Sequence, residues 1–149
     1  KNFKGLNYRQ QIIFKNKKIS IINDSKSTSY SSSIEMLKKN NNIYWLLGGI
    51  PKKGDKFNLS KNYQRNIRGF IFGVNHKKFL LDLKDKIKIK KFSNLKKALD
   101  ELFKDIKKDN SSKKIILFSP AAASFDSFKN FEDRGLYFNK LIKKYINVR

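Results

Sequence analysis

The chain contains no cysteine and a single histidine, His76. A disulfide framework and a thiolate metal site are therefore excluded, and with them any Cys/His-ligated metal centre. No apolar run approaches the roughly 20 residues that a membrane-spanning helix needs, and no signal-peptide pattern opens the chain. There is no G-x-x-x-x-G-K-[ST] segment and no G-x-G-x-x-G after the first strand-like run, so neither common phosphate-loop fingerprint is present. Carboxylates are scarce as well, 12 Asp and Glu against 35 Lys and Arg in 149 residues, for a formal net charge of +23. These features predict one soluble, cytoplasmic domain, residues 1–149, with no membrane partner; a monomer is expected, although composition does not fix the oligomeric state.

Clustered cations displace counterions from phosphates, so a charge of this size raises the question of nucleic-acid binding. The kind of cation argues against it. Thirty of the basic residues are Lys and five are Arg, whereas base-edge and phosphate forks favour Arg. The lysines are also spread over every expected helix and strand without a block. The charge is read as a solvated surface, with no nucleic-acid partner.

Along the chain the apolar period alternates between strand and helix. Residues 10–14 and 18–22 are short β-branched runs separated by Lys15-Asn16-Lys17, the pattern of a hairpin. Residues 31–39 read as a helix with a serine N-cap, and 43–47 as a strand buried on both faces. Strands are expected over 68–72, 86–90 and 115–118, and helices over about 75–83, after Ser93-Asn94, and through Tyr137 to Tyr145. This alternation predicts an α/β fold, Rossmann-like, with a mostly parallel sheet, helices on both faces and an antiparallel edge from the first hairpin. His76 is expected at the surface, and Trp45 in the core. The chain opens at Lys1 without Met, as a piece of a longer protein would.

Three of the apolar strands run into polar loops: Asn23-Asp24-Ser25-Lys26-Ser27-Thr28, Gly48-Gly49-Ile50-Pro51-Lys52-Lys53-Gly54, and Ser119-Pro120-Ala121-Ala122-Ala123-Ser124-Phe125-Asp126. In a parallel sheet these share the carboxyl edge, where open α/β sheets bind ligands. Lysines supply point charges and hydroxyls supply directed donors, so the set suits a small, doubly negative ligand. A helix beginning near Ser124 would add free backbone N–H groups. Asp24, an acceptor, suits ribose hydroxyls. The same residues also have plainer roles: Asp24 and Ser25 as turn residues, Ser124 as an N-cap, Gly48-Gly49 as a tight turn.

The three loops, with the run Ser127-Phe128-Lys129-Asn130-Phe131-Glu132-Asp133-Arg134-Gly135 that continues the third, resemble the carboxyl-terminal domain of the D-glutamate-adding branch of the Mur ligase family. The likeness runs in order from Arg9 to the last helix. It implies an ATP-dependent ligase of peptidoglycan precursor synthesis. ATP phosphorylates the carboxylate of UDP-N-acetylmuramoyl-L-alanine, and the amine of D-glutamate attacks the acyl phosphate. The resemblance places Lys26 at the reacting phosphate as the catalytic residue. Thr28 and Lys52 would hold the α-carboxylate of D-glutamate, and Ser124 its side-chain carboxylate, with backbone N–H groups around Phe125 and Phe131. Arg9, Asn23 and Asp24 would meet the ATP. The Asn7-Tyr8-Arg9-Gln10-Gln11 element departs from the Pro-His-Arg type usual there. Lys53 lies beside Lys52, and spacing from Gly49 favours Lys52. The family's phosphate loop and Mg2+ ligands lie in domains outside this sequence, so the isolated domain is expected to be inactive. The rival readings are a stand-alone module binding a small anion or nucleotide, and a basic nucleic-acid-binding domain.

Overall fold

Asn16 turns the first hairpin. Its side-chain Oδ1 accepts from the N–H groups of Lys18 and Ile19, both at 2.8 Å, and so closes the connection between strands β1 (Gln11–Lys15) and β2 (Ile19–Asn23). The computed structural model describes residues 7–111 and 113–146. After the hairpin come α1 (Tyr30–Lys39), β3 (Ile43–Leu47), α2 (Lys61–Gln64), β4 (Ile67–Phe72), α3 (Lys77–Leu83), β5 (Lys88–Phe92), α4 (Leu95–Lys108), β6 (Lys114–Phe118) and α5 (Phe131–Ile146). The six strands form one sheet in the order β1-β2-β6-β3-β4-β5. Only β1 is antiparallel; the other four pairings are parallel. This is the expected Rossmann-like α/β sheet with an antiparallel edge.

The two central strands, β3 and β6, are buried at every position, and their side chains divide by parity. Ile43, Trp45 and Leu47 join Tyr30, Leu37, Phe79 and Leu83 of α1 and α3 on one face. Tyr44 and Leu46 join Leu99, Leu102, Phe138 and Leu141 of α4 and α5 on the other. Trp45, placed in the core as expected, satisfies its indole N–H by donating to the Ser119 carbonyl at 2.7 Å.

Helix starts follow their caps. Ser29 caps α1 in a capping box with Ser32, and the Asn94 side chain caps α4 by accepting from Lys97 N–H. Strand β5 lies two residues later than the sequence suggests. The N–H groups of Lys86 and Ile87 turn back to the Leu83 carbonyl, so both residues finish the exit of α3 instead of starting the strand. Between β3 and β4, the loop buries Phe57 and Leu59 and holds the short α2, none of which the periodicity indicates. No helix among the described residues is long and apolar enough to cross a membrane.

No helix begins near Ser124, contrary to expectation. The N–H groups of Ser127 and Phe128 both reach the Ser124 carbonyl, which makes a single turn and no more. The chain before it is committed elsewhere. Ala121 has φ +58°, and Ala123 exchanges both backbone hydrogen bonds with Ile50. Helix α5 starts only at Phe131, where the Asn130 side chain accepts from Asp133 N–H at 2.8 Å.

Candidate functional site

The loops after β3 and β6 are zipped together at the sheet edge. Gly48 N–H donates to the Pro120 carbonyl at 3.0 Å, and Ile50 and Ala123 pair as a short bridge. A Cβ on Gly49, whose φ is +127°, would stand 2.3 Å from the Ala123 carbonyl oxygen. Gly48-Gly49 is therefore packed tightly against neighbouring backbone, with no room for a side chain on its inner side. The ligand space lies to either side of this zipper.

On the β2 side, Asn23 to Thr28 leave the strand with alternate residues serving different ends. Asn23 and Ser25 turn inward to α5. Asn23 Nδ2 donates to the Gly135 carbonyl at 3.0 Å and to Asn139 Oδ1 at 2.8 Å, and Ser25 Oγ donates to the Phe131 carbonyl at 2.7 Å. Asp24, Lys26 and Thr28 face the other way. With Arg9 and Phe131 they line a cleft of about 670 Å3, completed by Gln10, Ser27, Ser32 and Glu35. Five of the sequence-derived candidates thus converge: Arg9, Asp24, Lys26, Thr28 and Phe131. The Lys26 ammonium sits over the Phe131 ring, 4.5 Å from its centroid, which restrains a long cationic side chain at the cleft wall.

The remaining candidates are placed differently. Asn23 is fully buried and committed to the α5 contacts above. Ser124 is buried at the start of its turn, Phe125 is 70% exposed, and Lys52 is exposed on the loop after β3; none of the three lines this cleft. The Lys52 loop is nevertheless anchored close to it. Asp55 Oδ2 accepts from the N–H of Tyr30 at 2.7 Å, tying residues just beyond Lys52 to the helix start just beyond Thr28. A second, smaller cleft of about 250 Å3 opens over the ends of β4 and β5, between Gly73, Asn94, Asp126 and Tyr137. His76 is half-buried at the start of α3, its Nδ1 3.4 Å from the Gly73 carbonyl oxygen, and lines neither cleft. Among the described residues no group of three His, Cys, Asp or Glu could hold a metal ion.

Two site residues escape a reading of the sequence alone. Arg134 is 1% exposed, yet carries a full set of partners. Its Nε donates to Ser25 Oγ at 3.0 Å, one terminal nitrogen to the Ala122 carbonyl at 2.8 Å, and the other to the Ser25 carbonyl at 2.5 Å. Burial lowers its pKa to about 10, against the pull of Asp126 and Asp24, so it stays cationic at neutral pH. From α5 it fastens the loop after β2 to the loop after β6. The signal was its position: Arg134, Phe138, Leu141 and Ile142 share a helical core register. Ser119 is the second residue, donating to Asp24 Oδ2 at 2.7 Å.

Asp24 is 3% exposed, and burial pushes its pKa up to about 6 despite the Ser119 hydroxyl, the Gln10 N–H and the Arg9 charge; Glu35 adds to the rise. Because the folded value lies above the unfolded one, the folded state holds this proton more tightly. Its contribution to stability is complete below about pH 4 and is lost as pH rises through about 6. The loss is on the order of 2–3 kcal/mol. Urea titrations of wild type and Asp24→Asn should therefore diverge in the variant's favour between those two pH values. Parallel curves would show that Asp24 is not strained by ionisation.

The cleft lies at the carboxyl edge of a Rossmann-like sheet, the place where open α/β folds bind their ligands. No protein-family model matches the chain. It is 36% identical over 144 residues to the UDP-N-acetylmuramoylalanine–D-glutamate ligase of Rickettsia felis, covering 97% of this chain and 32% of the relative. The ligases of the same name from Wolbachia pipientis wMel and Rhodospirillum rubrum are 36% and 31% identical, over 96% and 99% of the chain. The chain belongs to this Mur ligase family and spans about a third of the length of these relatives.

Proposed function

We propose that the chain is the carboxyl-terminal domain of the ATP-dependent Mur ligase that joins D-glutamate to UDP-N-acetylmuramoyl-L-alanine in peptidoglycan precursor synthesis. The observation that carries this reading is the convergence of Arg9, Asp24, Lys26, Thr28 and Phe131 in one cleft at the carboxyl edge of the sheet. Arg9 and Lys26 provide cations suited to phosphates, and Asp24 provides an acceptor suited to a ribose. Asn23 acts behind them, holding the loop that carries Asp24 against α5. Thr28 and Lys52 hold the α-carboxylate of D-glutamate; the bond from Tyr30 N–H to Asp55 supports this pairing by keeping their two loops adjacent. Ser124, with the backbone at Phe125 and Phe131, takes the side-chain carboxylate. Arg134 supports that assignment by drawing Ala122 toward α5.

The reaction transfers the terminal phosphoryl group of ATP to the precursor carboxylate, releasing ADP. The D-glutamate amine then displaces phosphate and forms the amide. This domain contributes positioning and charge, brought against the rest of the enzyme by rigid-body closure. Mg2+ and the UDP-sugar are held elsewhere in the full-length protein, which works in the cytoplasm as a monomer. The isolated domain is catalytically inactive and binds D-glutamate and ATP weakly, since each site is incomplete without the other domains.

The test is D-glutamate-dependent phosphate release by the full-length ligase, supplied with ATP and UDP-N-acetylmuramoyl-L-alanine. Lys52→Ala and Ser124→Ala should each raise KM for D-glutamate by about 10- to 100-fold, the worth of one charge-assisted hydrogen bond, with a smaller change in kcat. Wild-type KM in either variant removes that residue from the site. Activity that ignores D-glutamate removes the reaction.

A further inference from the structure

Behind the cleft, buried hydroxyls form one continuous hydrogen-bonded chain. It begins at Asp24, whose Oδ1 accepts from Gln10 N–H at 3.0 Å and whose Oδ2 accepts from the Ser119 hydroxyl at 2.7 Å. Ser119 Oγ lies 2.6 Å from Ser33 Oγ, Ser33 Oγ 2.7 Å from Ser27 Oγ, and Ser27 Oγ 2.9 Å from Ser32 Oγ. Ser119 and Ser33 are fully buried and Ser27 nearly so, while Ser32 is exposed; Ser27 and Ser32 both line the cleft. A carboxylate is thereby connected to the cleft wall through three hydroxyls shielded from solvent.

The direction of this chain is determined by counting protons. A hydroxyl has one to donate, and an ionised carboxylate has none. With Asp24 ionised, Ser119 donates to Asp24, Ser33 to Ser119, and Ser27 to Ser33. The one Ser32 proton is then shared between Ser27 Oγ and the Ser29 carbonyl at 2.7 Å, both of them protein acceptors. One of the Ser32 lone pairs takes the Ser29 N–H at 3.2 Å in the capping box, which leaves one for a ligand in the cleft.

We propose that the Asp24–Ser119–Ser33–Ser27 chain fixes the Ser27–Ser32 wall of the cleft as a hydrogen-bond acceptor, so that this wall selects ligands presenting hydroxyl hydrogens. Resting on the nucleotide reading above, the group it selects is a ribose hydroxyl, while Arg9 and Lys26 take the phosphates. Ser33 and Ser119 are positioning residues, since they act only through their neighbours. Protonation of Asp24 would place a proton on Oδ2, because Oδ1 already accepts from Gln10, and would reverse every link. The charged groups that bear on this carboxylate are Arg9 ahead of β1, Glu35 on α1 and Arg134 on α5; β6 presents only Ser119.

The test compares kcat/KM for ATP with that for 2′-deoxy-ATP and 3′-deoxy-ATP in the full-length ligase. Wild type should prefer ATP over at least one deoxy analogue by about tenfold, the worth of one well-placed hydrogen bond. That preference should shrink below the Asp24 titration. Ser33→Ala should reduce it to about twofold at every pH, with KM for D-glutamate unchanged. Equal use of all three nucleotides by wild type, or full discrimination by Ser33→Ala, overturns the proposal. A full-length protein with no ATP-dependent ligation would instead remove the ligase reading. The chain itself is then read by carbon NMR titration of the Asp24 carboxyl. Ser33→Ala should raise its midpoint, because the Ser119 donor loses its polarising partner; an unmoved midpoint overturns the chain.

Discussion

Arg134→Met should destabilise the domain by about 3–5 kcal/mol, the cost of stripping a buried charged donor from its partners. Methionine approximates the length of the side chain, so the loss does not come from a large cavity. It comes from acceptors left without donors in a place water does not reach. The Ser25 and Ala122 carbonyls and the Ser25 hydroxyl all receive hydrogen bonds from this one guanidinium. Those acceptors belong to the loops after β2 and β6, so the same substitution releases both site loops from α5. Arg134→Lys should be intermediate, since an ammonium keeps the charge but cannot match three fixed donor directions. Denaturant unfolding of the domain measures both. A loss below about 1 kcal/mol for Arg134→Met would mean that the loops hold themselves together without the strut.

In the full-length ligase, Lys26→Met should lower kcat by about 10²- to 10³-fold, the range found when one preorganised electrostatic contact is removed from a reacting oxyanion. On the assignment proposed above Lys26 makes no ground-state contact with D-glutamate, so KM for that substrate should hardly change. Two features pre-position the Lys26 ammonium: the Phe131 ring beneath it, and the backbone bond from Lys26 N–H to the Tyr8 carbonyl at 2.9 Å. Phe131→Leu should therefore reproduce a minor part of the defect, about 3- to 10-fold, by freeing the lysine without deleting it. Steady-state kinetics separate these cases. A kcat within about threefold of wild type in Lys26→Met would place the ammonium away from the reacting phosphate.

Much of the fold was legible because it is written in short-range periodicity. The run Ile43 to Leu47 reads as a doubly buried strand from five residues, and Ser93-Asn94 announces the start of α4. Errors occurred where backbone hydrogen bonds compete over a few residues. Lys86 and Ile87 alternate like a strand, but finish a helix exit because the Leu83 carbonyl is within reach. Ser124 resembles an N-cap, but its turn closes with the Ser127 and Phe128 N–H groups and goes no further, and α5 starts only at Phe131. The loop holding Phe57 and Leu59 has no period at all; those side chains are buried because α1, α3 and β3 leave room for them.

The site divides in the same way. The sequence by itself determined the order of the strands and of the longer helices, the three polar loops at strand ends, and the likeness that assigns them to the Mur ligase family. Each depends on neighbours within a turn or a strand, or on residue order. Only the tertiary structure decided which polar groups meet. It put Asn23 and Ser25 behind the wall and Asp24 and Lys26 on it, packed Gly48-Gly49 against neighbouring backbone, and gave Arg134 its role. It also joined Ser33 to Ser119 and Ser119 to Asp24, pairs 86 and 95 residues apart. A hydrogen bond between such distant residues leaves no local pattern, because the chain brings its partners together only after the sheet has formed.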